Sequence, residues 1–131
     1  ICIQLADESF KVVILFTGHY PPEQIDALEE GARRARKMAK GTRFLVWADN
    51  QFLGDQYVGD HAGATETSFQ MFFDPKSIVL DSLPDRPLTL DGDGVMGDDP
   101  REASVERGEL QLKVVLQNAV PKVKALLEEI K

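Results

Sequence analysis

A single cysteine, Cys2, stands in a chain of 131 residues. One thiol excludes an internal disulfide framework and fits a reducing compartment. Histidine is nearly as scarce, with 2 residues, so chemistry that leans on imidazole falls on His19 or His61. No apolar run approaches the roughly 18 residues a membrane span needs, and no signal-peptide pattern is present; the expected setting is the cytoplasm. Neither a strand-to-helix GxGxxG nor a P-loop occurs, which leaves dinucleotide and nucleoside triphosphate cofactors unsupported. Positive charge is also in deficit, with 15 Lys and Arg against 22 Asp and Glu for a net charge of -7. Nucleic-acid affinity comes chiefly from Lys and Arg displacing counterions, so neither a nucleic acid nor a membrane is an expected partner. The one basic cluster, Arg33, Arg34, Arg36, Lys37 and Lys40, sits late in a predicted helix, where positive charge suits the dipole, and reads as a solvated face.

What is present is an ordinary globular balance, 43% hydrophobic and 28% charged, sized for one domain. Lys11 to Thr17 is a β-branched-rich apolar run ending at Gly18, the pattern of a strand buried on both faces in a parallel sheet. Pro21 and Pro22 open a segment, Glu23 to Lys40, in which Ile25, Leu28, Ala32, Ala35 and Ala39 recur at helical steps, with Gly41 as its stop. Arg43 to Ala48 predicts a second strand, completing a right-handed βαβ unit. Asp49 to Asp60 reads as a loop with one helical turn, Ala64 to Phe73 as a short helix ended by Pro75, and Ser77 to Leu80 as a short extended piece. Pro84 to Pro100 carries Pro, Gly and Asp without period and reads as a loop too long to be a mere connector. Glu109 to Ile130 predicts a long amphipathic helix kinked at Pro121.

Two firm strands do not make a core for a sheet buried on both faces. The chain also opens Ile1-Cys2-Ile3-Gln4 with a mixed stretch that runs straight into the first strand, and reads as a chain entered midway. The expectation is a partner chain or a larger domain that supplies the missing strands.

Both histidines lie in loop-like contexts. His19 follows the carboxyl end of the first strand, the crevice where open α/β sheets place ligands, though a histidine there also serves as a surface or packing residue. His61 precedes Glu66 at the start of a short helix, where a carboxylate equally suits the dipole. Asp91-Gly92-Asp93-Gly94 has calcium-loop composition but lacks the closing Glu and flanking helices of an EF-hand. Cys2 and the serines lack a nucleophile elbow and a base with its orienter.

His61-Ala62-Gly63-Ala64-Thr65-Glu66-Thr67-Ser68 resembles the H-[AG]-G-x-x-E-T-S signature of the creatininase (creatinine amidohydrolase) family at each fixed position. Gly18-His19 resembles that family's N-G-H-x-x-N segment, and Gly97-Asp98-Asp99-Pro100 through Ala103 to Gly108-Glu109 resembles its G-D-P-x-x-A...K-G-E segment. The resemblance implies a three-layer α/β/α fold with a mostly parallel sheet, incomplete here because residues 1–131 correspond to the C-terminal portion of a single domain. It also implies a divalent metal, zinc first with manganese or iron as alternatives, hydrolysis of a cyclic amide or formamide C–N bond, a small amide substrate and a homo-oligomer, several members being hexamers. Carried over by position, His19 and Glu66 are implied as metal ligands and His61 as a catalytic proton-transfer residue that also meets substrate. Tyr20 and Tyr57 are implied as substrate-binding residues. Thr17 replaces the motif's first Asn, and Pro21-Pro22 replace an acidic residue and Asn, with Glu23 as a displaced carboxylate. Those departures leave a second reading, a non-catalytic relative used as a binding or assembly module. A third is an α/β domain with an unrelated ligand at the strand ends.

Overall fold

The computed structural model describes all residues except Tyr20, Asp55, Gln56, Val58 and Lys131. It divides into two compact units, one formed by residues 1–52 with 118–131 and the other by residues 53–117.

In the first unit, β1 (Val12–Thr17) and β2 (Arg43–Ala48) form a parallel pair connected by helix α2 (Pro22–Met38). The register places Val13 beside Phe44 and Leu15 beside Val46. With period 2, those four side chains share one face, and Ala32 and Ala35 of α2 close over it as a buried cluster with Val13 and Phe44. Small residues on α2 let the helix lie close to the strands. The chain start is not an extended lead into β1: Cys2–Asp7 forms helix α1, because Cys2, Ile3, Leu5 and Ala6 gain a place against that same cluster. On the opposite face, Phe52 stacks on Phe16 at 6.2 Å and meets Trp47 edge-on at 5.1 Å. Cover on that face is partial, since Phe16 remains 51% exposed. The fold class is therefore mixed α/β, with a small two-strand parallel sheet flanked by helices among the described residues.

The arginines of α2 are spent locally. Arg33 and Arg34 both donate to Glu30 at 2.6–2.7 Å, and Arg33 first, then Arg34, lower its carboxyl to about 2. Arg36 donates to the Phe44 carbonyl at 2.7 Å, which ties α2 to β2.

The second unit begins with the end of the short helix α3 (Asn50–Leu53) and contains α4 (Ala64–Phe73), α5 (Leu90–Asp93) and the start of the long helix α6 (Val105–Glu128). Residues 77–80 do not form a strand. Pro75–Ser77 and Leu80–Ser82 are 3-10 turns, the first opened by Pro75 with Asp74 accepting from the Lys76 N–H. Residues 84–100 are ordered by side chains rather than by period. Arg86 makes a bidentate pair with Asp93 at 2.8 Å, lowering that carboxyl to about 2, and Arg101 donates to the Pro84 carbonyl. Helix α6 starts earlier than its apolar period suggests, because Ser104 caps it by accepting the Arg107 N–H at 3.0 Å. It runs on through Pro121. Among the described residues no helix is long and apolar enough to cross a membrane.

Candidate functional site

The His61–Ser68 string folds as a turn feeding directly into α4. The N-cap of α4 is Gly63, which has no side chain to offer the orphan N–H groups of the first turn. Asp60 supplies the cap from outside the helix: its carboxylate accepts the Thr65 N–H at 2.6 Å and the Glu66 N–H at 3.3 Å. It is 7% exposed, and burial raises its carboxyl above the ordinary value against the lowering effect of those hydrogen bonds.

The glycines around it are there for room. A Cβ on Gly63 would stand 2.7 Å from Asp60 Oδ2 and 2.9 Å from the Met96 carbonyl, and one on Gly97 would stand 2.6 Å from the Asp60 Cβ. Gly97 also holds φ at +99°, a region glycine enters without steric cost. His61 and Met96 exchange backbone hydrogen bonds at 2.9 Å, and the Ala64 N–H reaches the Asp98 carbonyl at 3.0 Å. Segments whose paired residues are 34 and 35 positions apart are thus sewn together around Asp60. A third joins at α6, where a Cβ on Gly108 would fall into the Ser68 carbonyl.

Glu66 turns back over this turn, its Oε2 accepting the Ala62 N–H at 2.7 Å. The arrangement resembles a capping box displaced by one residue. His61 Nδ1 lies 4.0 Å from the same oxygen, with both side chains partly exposed. Ala62 sits at φ +50°, which strains an L residue by roughly 1–2 kcal/mol. Ala62→Gly is therefore expected to be neutral or to stabilise by up to about 1 kcal/mol, the strain relief being offset by glycine's chain entropy. A chemical-denaturation midpoint checks this, and a loss above about 1 kcal/mol would contradict the strained turn.

Beside Asp60 lies an open cleft of about 310 Å³, bounded by Tyr57, Thr65, Asp98, Arg107, Gln111 and Val114 among others. Arg107 Nη2 donates to Thr65 Oγ1 and to Asp98 Oδ2, each at 3.2 Å. Within the first unit, His19 follows β1 as expected. Its backbone exchanges hydrogen bonds with Thr17 Oγ1 at 2.7 and 3.1 Å, and neighbouring Gly18 lies against Asp49 at the end of β2. His61 and Glu66 are brought together and Tyr57 lines the cleft of their unit; Tyr20 lies outside the described residues.

The family model described as Creatininase, creatinine amidohydrolase, matches residues 1–123. The chain belongs to the creatininase family. Neither the curated proteins nor the solved structures give a significant match. Membership implies amidohydrolase-type function, and creatininases are in general metal-dependent. A catalytic zinc site takes three protein donors and an open position. Among the described residues no group of three His, Cys, Asp or Glu side chains is placed to hold an ion. Glu66 moreover has one oxygen committed to a backbone N–H. The donor types suit a divalent ion, but the described residues do not complete its site.

Sequence reasoning passed over Asp60 and Arg107. Asp60 carried one readable signal: a carboxylate just before a glycine-capped helix, at a point where the helix lacks its own cap. Arg107, at the position of the creatininase motif's Lys, carried none that fixes its partners, because Thr65 and Asp98 lie 42 and 9 residues away.

Proposed function

We propose that residues 1–131 are the C-terminal portion of a creatininase-type domain that hydrolyses the C–N bond of a small cyclic amide or formamide. The reading assigns His19 and Glu66 as two metal ligands, completed by donors from outside this sequence, and His61 as the group that carries a proton to the departing nitrogen. Tyr20 and Tyr57 are assigned as substrate-binding residues. Zinc, manganese and iron all suit imidazole and carboxylate donors. A homo-oligomer is proposed as the working state, with Leu110 and Leu116 of α6, 62% and 50% exposed, available for burial, and the cytoplasm as its setting, consistent with the free Cys2.

The observation that carries the proposal is the His61–Glu66 pair. A backbone bridge between His61 and Met96 and the Asp60 cap set the turn on which the imidazole and the carboxylate stand 4.0 Å apart, and general acid catalysis needs an imidazole within reach of the departing group. One observation favours the alternative, a non-catalytic module: Glu66 already has a complete structural role as a partner of the Ala62 N–H.

Elemental analysis of the full-length gene product, with and without Glu66→Gln and His61→Ala, separates the two. The enzyme reading expects bound divalent metal, lost in Glu66→Gln and kept in His61→Ala, with turnover of a formamide or cyclic amide falling about 10²–10⁴-fold in the latter. A full-length product that stays metal-free when zinc or manganese is supplied would replace the hydrolase with the module.

A further inference from the structure

The turn that carries His61 is paired to a segment with no buried apolar anchor of its own. None of residues 84–99 is buried, and Leu90 and Met96 are 54% and 47% exposed. Burial of apolar surface, which places most elements of a fold, therefore does not set the path of this segment. Polar contacts do. Arg86 Nη1 and Nη2 donate to the two oxygens of Asp93, each at 2.8 Å, and Nη1 also reaches the Pro87 carbonyl at 3.1 Å. Asp93 Oδ2 accepts the Thr89 N–H at 2.9 Å as well, and the Asp93 side chain is only 14% exposed. An exposed ion pair ordinarily adds little. A two-pronged guanidinium–carboxylate pair that also takes a backbone N–H is the stronger kind, because its geometry is fixed together with its charge. It closes residues 86–93 into a clasp.

Backbone alone links the clasp to the His61 turn. The Thr89 carbonyl accepts the Asp93 N–H at 2.9 Å and the Val95 N–H at 3.3 Å. Gly94, at φ +72°, ends α5 and turns the chain toward Val95. The next residue, Met96, exchanges both of its backbone hydrogen bonds with His61. Beyond Met96 the chain is fixed from the other side, where Gly97 packs on Asp60 and the Asp98 carbonyl accepts the Ala64 N–H. Met96 thus lies between two anchors. The second belongs to the motif segments that carry the family resemblance, whereas Arg86 and Asp93 fall outside all three.

We propose that Arg86 and Asp93 are positioning residues for His61, their clasp setting the edge at Met96 against which the His61 turn is paired. The part His61 plays in the reaction is taken from the amidohydrolase reading, but the coupling between clasp and turn rests on the contacts themselves. Since the clasp meets no ligand in this role, its loss should act on the placement of the reacting groups rather than on substrate binding, lowering kcat with KM kept.

The test is amide hydrogen exchange, read by NMR in the 131-residue chain and in its Arg86→Gln, Asp93→Asn and double variants, since exchange reports local opening residue by residue. The His61 and Met96 N–H groups are expected to exchange about tenfold faster or more in either single variant. The double variant should be no faster than the singles, because both remove the same contact. Amides of α4 from Ser68 to Phe72 should keep their protection, which shows that the 53–117 unit remains folded. Arg86→Lys keeps the charge without the fork and should fall between the wild type and Arg86→Gln. In the full-length protein the single variants should lower kcat about ten- to a hundredfold at unchanged KM. Unchanged exchange at His61 and Met96, or single effects that add in the double variant, overturns the coupling. Faster exchange with full kcat overturns the positioning role. A wild-type full-length protein that hydrolyses neither cyclic amides nor formamides sinks the amidohydrolase reading instead, and the exchange result then decides the clasp by itself.

Discussion

Gly108→Ala is expected to unfold the 53–117 unit or to leave it marginal, with a loss of about 3 kcal/mol or more. Overpacking a close-packed site ordinarily costs about 1–3 kcal/mol, with the high end reached where the surroundings cannot yield. At Gly108 they cannot. The added methyl would meet the Ser68 carbonyl and, at 2.9 Å, the Phe72 Cβ, both on the far side of a backbone-to-backbone contact between α4 and α6. Ser68 is fully buried, with 0% exposure, and its side chain is fixed from two sides. Its hydroxyl donates to the Ala64 carbonyl at 2.5 Å and accepts the Ser104 N–H at 3.2 Å. Moving it aside would break the cap-to-helix junction that starts α6.

Gly31→Ala supplies the contrast. That glycine is inside α2, and a Cβ there meets nothing within 4 Å, so the substitution should stabilise by roughly 0.5–1 kcal/mol through helix propensity alone. Urea unfolding of both variants, read with limited proteolysis inside 53–117, checks the pair. A Gly108→Ala loss below about 1 kcal/mol would mean that α4 and α6 do not approach as closely as described.

The same contacts explain how far the sequence could be read. Residues 12–17, 22–38 and 43–48 were legible because their signals are local: a continuous apolar run, a 3.6-residue period opened by proline, and a second short apolar run. The Ala64–Phe73 helix was legible for the same reason, with Pro75 as its stop. Helix α1 was not, because its six residues fold only where the α2 and β1 side chains give Cys2, Ile3 and Leu5 something to pack on. The 3-10 turns after α4 were missed because Ile78 and Val79 look β-forming, while Pro75 and the Asp74 side chain tighten the chain just before them. At the site, His61 and Glu66 were legible as residue types and as a motif. The reason for the motif's glycines was not, since Gly63, Gly97 and Gly108 are each required by a side chain or carbonyl of another segment or turn. Such requirements are set by tertiary proximity, which no window along the chain contains.

Asp60 is where these segments meet, and Asp60→Ala is expected to cost about 2–3 kcal/mol at neutral pH. The substitution leaves the Thr65 and Glu66 N–H groups without an acceptor, and lost caps and orphaned buried donors cost about 1–3 kcal/mol. It also opens space against Gly63 and Gly97. Asp60→Asn should cost less, because one carboxamide oxygen still caps Thr65 while the buried charge is gone. The two variants differ further in acid. Burial raises the folded-state carboxyl of Asp60 above its ordinary value of 3.8, so just above that value the folded protein binds more protons than the unfolded chain. The stability tied to this proton is fully present below 3.8 and is lost as pH rises through the folded-state value. Relative to Asp60→Asn, which cannot titrate there, the wild type should therefore gain stability as pH falls across that window. Unfolding free energies of the two proteins measured from neutral pH down to the acid limit of folding give the difference directly, because their other carboxylates cancel. A gap that moves the opposite way would show that the hydrogen bonds from Thr65 and Glu66 outweigh burial, and would make Asp60 a stabilised anion holding the His61 rim in place.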